Sequence, residues 1–328
     1  VQQSVQFWKY GGPEVLQSVP FEPLGQPLAD AVLVRHTAMG VNFIDTYHRS
    51  GVYPVPSFPS SIGVEAAGTV EAVGPLAPPA LLGKRVAYAG GPLGAYADAR
   101  LMPADRLVVL PEDMAAATAA AGLLKGMTAE YLIRRVYAVQ PGETVVVHAA
   151  AGGVGLILCQ WLQHLGAAVI GTVGTPQKAE LARAFGCTYP VVLGKQDFVA
   201  TVRELTAGIG VGVVYDSVGK DTFEGSLNCL KPRGLLVCFG NASGKPDPFD
   251  VVRLAEKGSL FLTRPTLFHY TSTPEDLALS AQRFFDVVAN GAVKIHVGQR
   301  FSLGQAADAH RALEARQTIG STILVPEL

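Results

Sequence analysis

Cysteine is scarce in this 328-residue sequence: four are present, Cys159, Cys187, Cys229 and Cys238, and none forms a C-x-x-C pair with another. Four thiols in a chain of this length cannot supply a disulfide scaffold, and the expected setting is reducing and cytoplasmic. The first 158 residues contain no cysteine at all, which removes thiolate ligands for zinc from that part of the chain. A surplus of one charge is also missing. Lys and Arg number 26 against 27 Asp and Glu, so no global field draws the chain onto nucleic acid or an anionic membrane. There is no G-x-S-x-G elbow, which disfavours a Ser-His-Asp hydrolase. Gly240-Asn241-Ala242-Ser243-Gly244-Lys245 has the wrong spacing for a Walker loop and runs into Pro246. The opening VQQSVQFWKYGGPEV lacks the basic cluster and apolar run of a secretory leader, and the missing initiator Met reads as trimming.

Apolar residues are plentiful, at 49%, so the chain can bury a large core, and its length suggests about two domains. No Asp, Glu, Lys or Arg occurs between Glu143 and Lys178, long enough to raise the question of a membrane span. The centre of that stretch is Ala149-Ala150-Ala151-Gly152-Gly153-Val154-Gly155, a poor helix middle but a good turn between strand and helix. It is therefore read as a buried strand–turn–helix, with no membrane association.

The rhythm of the chain changes twice. Residues 1–124 show short β-rich runs between Gly and Pro, with strands expected at 31–38, 62–73, 84–89 and 94–100 in a twisted, mostly antiparallel domain. A helix is expected over 115–135. Beyond Pro141-Gly142, six apolar runs alternate with helical stretches, at 144–148, 168–173, 189–193, 211–215, 235–239 and 260–263. That alternation predicts an α/β domain with a doubly wound parallel sheet, since parallel strands need crossovers and are buried on both faces. The last sixty residues break the rhythm, with helices expected at 274–290 and 304–315 and strands at 294–301 and 321–325. They read as a return to the first domain, which gives the division 1–124 with 266–328, and 125–265.

The glycine turn is the most informative segment. Where a pyrophosphate approaches the first turn of a helix, side chains would collide with it while backbone N–H groups and the positive helix end attract it. The dinucleotide fingerprint appears here as Ala150-x-Gly152-x-x-Gly155, with alanine in the first glycine position. An NAD site places a carboxylate about 20 residues further on, for the ribose hydroxyls. Here Gly174-Thr175 stands at that place, with Lys178 following, so the pattern favours NADPH and its 2′-phosphate. On the first domain's side, His36, His48, Asp45 and Glu65 are too few and too ordinary to be read as a metal site.

In combination, several segments resemble the zinc-independent quinone oxidoreductases, the bacterial NADPH:quinone reductases and zeta-crystallin, of the medium-chain dehydrogenase/reductase superfamily. They are 149–178, Val214-Tyr215-Asp216-Ser217-Val218-Gly219, Phe239-Gly240-Asn241, Thr263-Arg264-Pro265 and 316–321. The first domain agrees through Gly40-Val41-Asn42-Phe43-Ile44-Asp45, Arg49-Ser50-Gly51-Val52-Tyr53-Pro54 and Gly63-Val64-Glu65-Ala66-Ala67-Gly68. The resemblance spans essentially the whole chain. It implies a GroES-like substrate domain built from both chain ends, a Rossmann domain between them, an active site in the cleft, and a homodimer joined through the edge strands of two Rossmann sheets.

The same resemblance implies residue roles. Gly152, Gly153, Val154 and Gly155 would take the pyrophosphate, Lys178 beside Gly174 the 2′-phosphate, and Ser217 and Asn241 would lie along the cofactor. Phe239 and Gly240 would lie near the nicotinamide ribose, Arg316 near the adenosine end, and Thr128 over the cofactor. Asn42, Asp45 and Tyr53 would line the quinone pocket. Where the family commonly has a tyrosine just past the third strand, this sequence has Leu193, and Tyr189 stands four positions too early, so Lys178 is expected to carry a larger share of the NADPH preference.

Quinone reduction needs no metal, because the acceptor is already electrophilic. The protein must hold the nicotinamide carbon about 3–3.5 Å from it and supply donors to the oxygen that gains charge. Asn42 and Tyr53 are the candidate donors, and Asp45 is read as orienting its neighbours. Reduction of enone or enal double bonds on the same scaffold is the alternative, and a non-catalytic crystallin-like or AU-rich RNA-binding role is a third reading. The natural acceptor and one- against two-electron transfer stay open at this level.

Overall fold

The computed structural model describes residues 2–21 and 23–327. Along the chain, β1 (Gln2–Phe7), β2 (Gln17–Phe21) and β3 (Ala31–Val41) lead into α1 (Phe43–Ser50). Then come β4 (Ser60–Ser61), β5 (Glu65–Val73), β6 (Arg85–Ala89), β7 (Ala99–Pro103), β8 (Val108–Val109) and the long α2 (Ala116–Tyr131). The alternating section runs β9 (Thr144–Val147), α3 (Gly153–His164), β10 (Ala168–Val173), α4 (Pro176–Ala184), β11 (Tyr189–Val192) and α5 (Phe198–Leu205). It continues through β12 (Val211–Asp216), α6 (Phe223–Asn228), β13 (Leu230–Cys238), α7 (Val252–Glu256), β14 (Phe261–Thr263) and α8 (Leu267–Tyr270). The chain closes with α9 (Pro274–Ala289), β15 (Val297–Ser302), α10 (Ala306–Glu314) and β16 (Ser321–Val325).

Two compact units result. The first comprises Val1–Lys125, Thr271–Phe285 and Ile295–Leu328; the second comprises Gly126–Tyr270 and Asp286–Lys294. The sequence places all of 266–328 with the first domain, whereas 266–270 and 286–294 pack with the second. Gln160 on α3 ties in the later segment: its side chain accepts from the Lys294 N–H at 2.9 Å and donates to the Lys294 carbonyl at 3.1 Å. Both backbone groups of Lys294 are thereby satisfied within the second unit.

The first unit is a β-rich body around a seven-stranded sheet, ordered β15-β16-β3-β5-β6-β8, with β7 also paired to β3. All pairings but β15–β16 are antiparallel. Its core includes Phe7, Val32, Met39, Tyr88, Tyr96, Met102 and Leu324. Two expected strands are shorter than their apolar runs. The strand expected from residue 62 starts only at Glu65, because Gly63 takes φ +92°. That expected from 94 starts at Ala99, since Gly94 adopts φ +129° and the N–H groups of Gly94 and Ala95 turn to the Gly63 carbonyl.

In the second unit the six strands form one parallel sheet in the order β11-β10-β9-β12-β13-β14. This is a Rossmann-type doubly wound sheet: strand order proceeds outward from β9 in one direction and from β12 in the other. The switch point between β9 and β12 is where such sheets open a crevice beyond the carboxyl ends of the strands. Val146, Ile170, Val214 and Leu236, from four neighbouring strands, are buried in its core, as strands covered on both faces require.

Candidate active site

At the carboxyl end of β9 the chain turns sharply. Ala149 takes φ +52°, an uncommon conformation for a non-glycine residue, and α3 then starts at Gly153 with Gly152 as N-cap. The first N–H groups of α3 have no carbonyl one turn behind them in the helix. Ala150 stands in the first glycine position, and its methyl is accommodated from across the sheet: a Cβ at Gly171 on β10 would lie 2.7 Å from the Ala150 Cβ. The missing methyl at Gly171 therefore makes room for the one present at Ala150, a compensation invisible to a local motif.

The glycines of this region fall into two kinds. At Gly155 an added Cβ would come within 2.2 Å of the Ala149 carbonyl oxygen, so the protein's own packing forbids a side chain. At Gly152 the nearest atom would be that same oxygen at 3.2 Å, and at Gly174, after β10, nothing lies within 4 Å. Their bareness leaves a cradle beside a helix N-terminus, which fits a dinucleotide pyrophosphate and adenosine ribose. Thr175 caps α4, accepting from the Lys178 N–H at 3.2 Å, and this places half-buried Lys178 in the first turn of α4 without a carboxylate at Gly174 or Thr175.

The carboxyl ends of β12 and β13 form the other wall of the crevice. Asp216 closes β12 and its Oδ1 accepts from the N–H groups of Val218, at 2.8 Å, and Gly219, at 3.0 Å, which fixes the backbone on either side of Ser217. Gly240 is needed because a Cβ there would meet the Ser217 carbonyl oxygen at 2.5 Å, and the Ala242 N–H bonds that same oxygen at 3.1 Å. Ser217, Phe239, Gly240 and Asn241 thus gather on this side of the switch point. Leu193 follows β11 with its N–H on the Val173 carbonyl at 2.9 Å, next to Gly174, while Tyr189 opens β11 at the opposite end of the strand. Thr128 is buried on α2, and Arg316 is exposed, with φ +58°, in the first unit after α10.

In the first unit, Asn42 and Asp45 are organised around the start of α1. Asn42 is the N-cap, and its N–H donates to Asp45 Oδ2 at 2.9 Å. The Asn42 amide donates to buried Glu65 at 2.8 Å; Glu65 also accepts from the Leu124 N–H at 2.7 Å and lies 3.5 Å from the buried Lys125 ammonium. Asp45 is wholly buried, and its Oδ2 also accepts from Tyr96 at 2.8 Å, while Oδ1 has no hydrogen-bond partner among the described residues. Burial raises its pKa to about 7. The Asn42 N–H, the Tyr96 hydroxyl and Lys125 pull it back, and Glu65 adds to the rise.

The far end of this network is a cation. Arg49, on α1, donates to His310 Nδ1 at 3.0 Å and to Glu314 at 2.5 Å, both on α10. Because arginine can only donate, His310 Nδ1 must accept, so Nε2 carries the hydrogen and donates to Tyr96 Oη at 3.1 Å. Burial, with Arg49 nearby, holds the His310 pKa down to about 3, so the ring is neutral. The sequence shows none of Tyr96, Arg49 and His310 as site residues, because they meet only through tertiary packing. Tyr53 is half-buried, its ring edge-on to Tyr47 at 5.3 Å and to His48 at 5.8 Å.

Two family models match: an alcohol dehydrogenase GroES-like domain over residues 28–112 and a zinc-binding dehydrogenase domain over 153–280. A quinone oxidoreductase of Pseudomonas aeruginosa is 50% identical over 322 residues, covering 98% of this chain and 99% of that one. The chain belongs to the quinone oxidoreductase family. Within the same range of similarity is a 2-haloacrylate reductase of a Burkholderia species, 47% identical and covered to 97% in both chains. A crystal structure of Escherichia coli quinone oxidoreductase complexed with NADPH superposes with a TM-score of 0.96 at 47% identity, over 99% of this chain and all of that one.

The zinc named by one family model does not fit the donors found here. Among the described residues no three His, Cys, Asp or Glu side chains gather to hold a metal ion. His36 is engaged by the Ala97 carbonyl and the Tyr88 hydroxyl, Glu65 by Asn42 and Leu124, and all four cysteines are buried in the second unit.

Proposed function

We propose that this chain is an NADPH-dependent quinone reductase that uses no zinc, with its cofactor seated at the carboxyl ends of the parallel strands. The observation that carries the reading is the crevice of the parallel sheet, with bare Gly152 and Gly174 beside a helix N-terminus, no carboxylate at Gly174-Thr175 where an NAD site has one, and Lys178 in the helical turn that follows. The near full-length identity to quinone oxidoreductases supports the acceptor class. NADPH, when bound, supplies the hydride. The chain's own residues bind and orient: the α3 turn takes the pyrophosphate, Lys178 the 2′-phosphate, Ser217, Phe239, Gly240 and Asn241 the nicotinamide half, and Arg316 the adenosine end, with Thr128 over the cofactor. Asn42 and Tyr53 are the proposed donors to the quinone oxygens, and Asp45 holds Asn42 in place.

A second reading is favoured by one observation, the 47% identity to a 2-haloacrylate reductase: reduction of an activated carbon–carbon double bond with the same cofactor geometry. The proposed assembly is a homodimer. It is supported by β14, an edge strand that leaves Phe261 61% exposed and Leu262 38% exposed. A cytoplasmic location is in keeping with four unpaired cysteines.

The deciding assay is oxidation of NADPH, with NADH in parallel, against quinones, enones and simple aldehydes with a chelator present. Quinone turnover that favours NADPH and ignores the chelator is the expected result. Turnover of enones alone moves the assignment to double-bond reduction, and absence of NADPH binding overturns both.

A further inference from the structure

His148 follows β9 immediately and is wholly enclosed, yet neither of its ring nitrogens is idle. Nδ1 lies 2.8 Å from the Thr172 hydroxyl on β10, and Nε2 lies 2.9 Å from the Ser226 hydroxyl on α6. Ser226 lies 2.8 Å from Asp216 Oδ2 and 2.8 Å from the Thr222 carbonyl, both pure acceptors, so its single hydrogen is spent there. The imidazole must then donate through Nε2 to Ser226, and Nδ1 must accept from Thr172. The chain of donors is directed: Thr172 to His148, His148 to Ser226, Ser226 to Asp216. Burial disfavours the charged ring, and the edge of Phe198, 5.1 Å away at 89°, closes one side of it.

The position of this chain in the sheet gives it meaning. His148 ends the strand on one side of the switch point and leads straight into the glycine turn. Asp216 ends the strand on the other side and holds the N–H groups of Val218 and Gly219. The backbone repeats the link, with the His148 N–H on the Tyr215 carbonyl at 3.0 Å. We propose that His148, acting through Ser226 and Asp216, is a positioning residue that sets the spacing between the glycine turn and the Ser217 turn, and so the pose of the dinucleotide that spans them. It touches no reacting atom. The inference rests on the dinucleotide reading above and deepens it, since nothing in the fingerprint itself requires a histidine before it.

The test uses the full-length protein and measures NADPH dissociation constants by fluorescence, hydrogen exchange of the 217–219 amides without cofactor, and steady-state kinetics. Ser226→Ala removes the link while keeping His148 and Asp216. It is expected to weaken NADPH binding roughly 2- to 10-fold, the effect of one hydrogen bond, and to speed exchange at Val218 and Gly219 while KM for the quinone stays within twofold. His148→Ala should weaken NADPH binding by more than about tenfold, because it leaves the buried Thr172 hydroxyl without its acceptor and cuts the donor to the Ser226 oxygen, two hydrogen bonds where Ser226→Ala loses one. His148→Gln, whose amide can still donate to Ser226, should recover most of that loss. Unchanged NADPH affinity and unchanged exchange in Ser226→Ala would overturn the proposal, as would an equal loss for both substrates that tracks a fall in Tm. If His148→Ala does not fold, Ser226→Ala decides alone. A wild-type protein that fails to bind NADPH would refute the dinucleotide reading itself, an outcome seen before any variant is made.

Discussion

Replacing Asp45 by asparagine separates the charge of a buried carboxyl from its shape. The carboxyl has its folded pKa raised to about 7, against about 3.9 in an unfolded chain. The folded protein therefore holds a proton that the unfolded chain releases, and the stability this group contributes is fully present below about pH 4 and is lost as pH rises through 7. Each pH unit inside that window is worth about 1.4 kcal/mol, so between pH 5 and 7 the wild type should lose about 2–3 kcal/mol from Asp45 alone. Asparagine cannot titrate, so Asp45→Asn should gain that amount on the wild type over the same interval and no more above pH 8. The first unit contains Trp8 and the second Trp161, so in a Trp161→Phe background urea unfolding followed by fluorescence reads the first unit. A difference between the two proteins that stays constant from pH 5 to 8 would refute the reasoning, because Asp45 would then be ionised throughout.

Other expectations address the cofactor, the acceptor and acid. Lys178→Ala should raise KM for NADPH roughly 10- to 100-fold, the worth of a charge-assisted phosphate contact, and leave KM for NADH nearly unchanged; equal effects on both would remove Lys178 from the 2′-phosphate. Gly152→Ala should fold with near wild-type Tm and bind NADPH poorly, whereas Gly155→Ala should lower Tm itself, since only the second methyl collides with the Ala149 carbonyl; calorimetry with and without NADPH tells them apart. Tyr53→Phe should cut quinone turnover about 100-fold if its hydroxyl serves the developing oxyanion, while unchanged kcat would reduce it to ring packing. His36 is held neutral by burial, with its pKa lowered to about 4, so its contribution is present above about pH 6.5 and is lost as pH falls towards 4, by about 3 kcal/mol. His36→Gln should flatten the acid limb of the unfolding curve, and an unchanged limb would place the sensitivity elsewhere.

The parts legible in the sequence were those with a local period or a local turn. Six apolar runs separated by helices identify the parallel sheet, and Gly152 to Gly155 mark its first crossover, because strand burial and a helix start each leave a trace within a dozen residues. The exact ends of strands were less legible: apolar character runs through Ile62 and Tyr96, but left-handed glycines at 63 and 94 bend the chain there. The buried polar network was illegible for a different reason. Arg49 and His310 are separated by 261 positions, and each alone looks like an ordinary surface residue of an amphipathic helix. Their pairing follows from α10 and α1 packing together, a tertiary fact that no window along the chain contains. The alanine in the fingerprint shows the same limit on a smaller scale, since its tolerance depends on Gly171 in the next strand.

The place of β16 in the first sheet has a consequence for how the protein is made. This strand, Ser321–Val325, lies inside the sheet, between β15 and β3, and pairs Thr322 with Val41 and Leu324 with Met39. Those partners leave the ribosome some 280 residues apart, so the edge of β3 at 39–41 stays open through almost the whole of synthesis. The second unit can close as soon as residue 294 has emerged, while the first must wait for its final strand. Loss of the strand 321–325 would therefore cut β15 off from β3 as well as remove β16 itself, and an early stop there should yield a protein with one finished half and one exposed to chaperones and proteases.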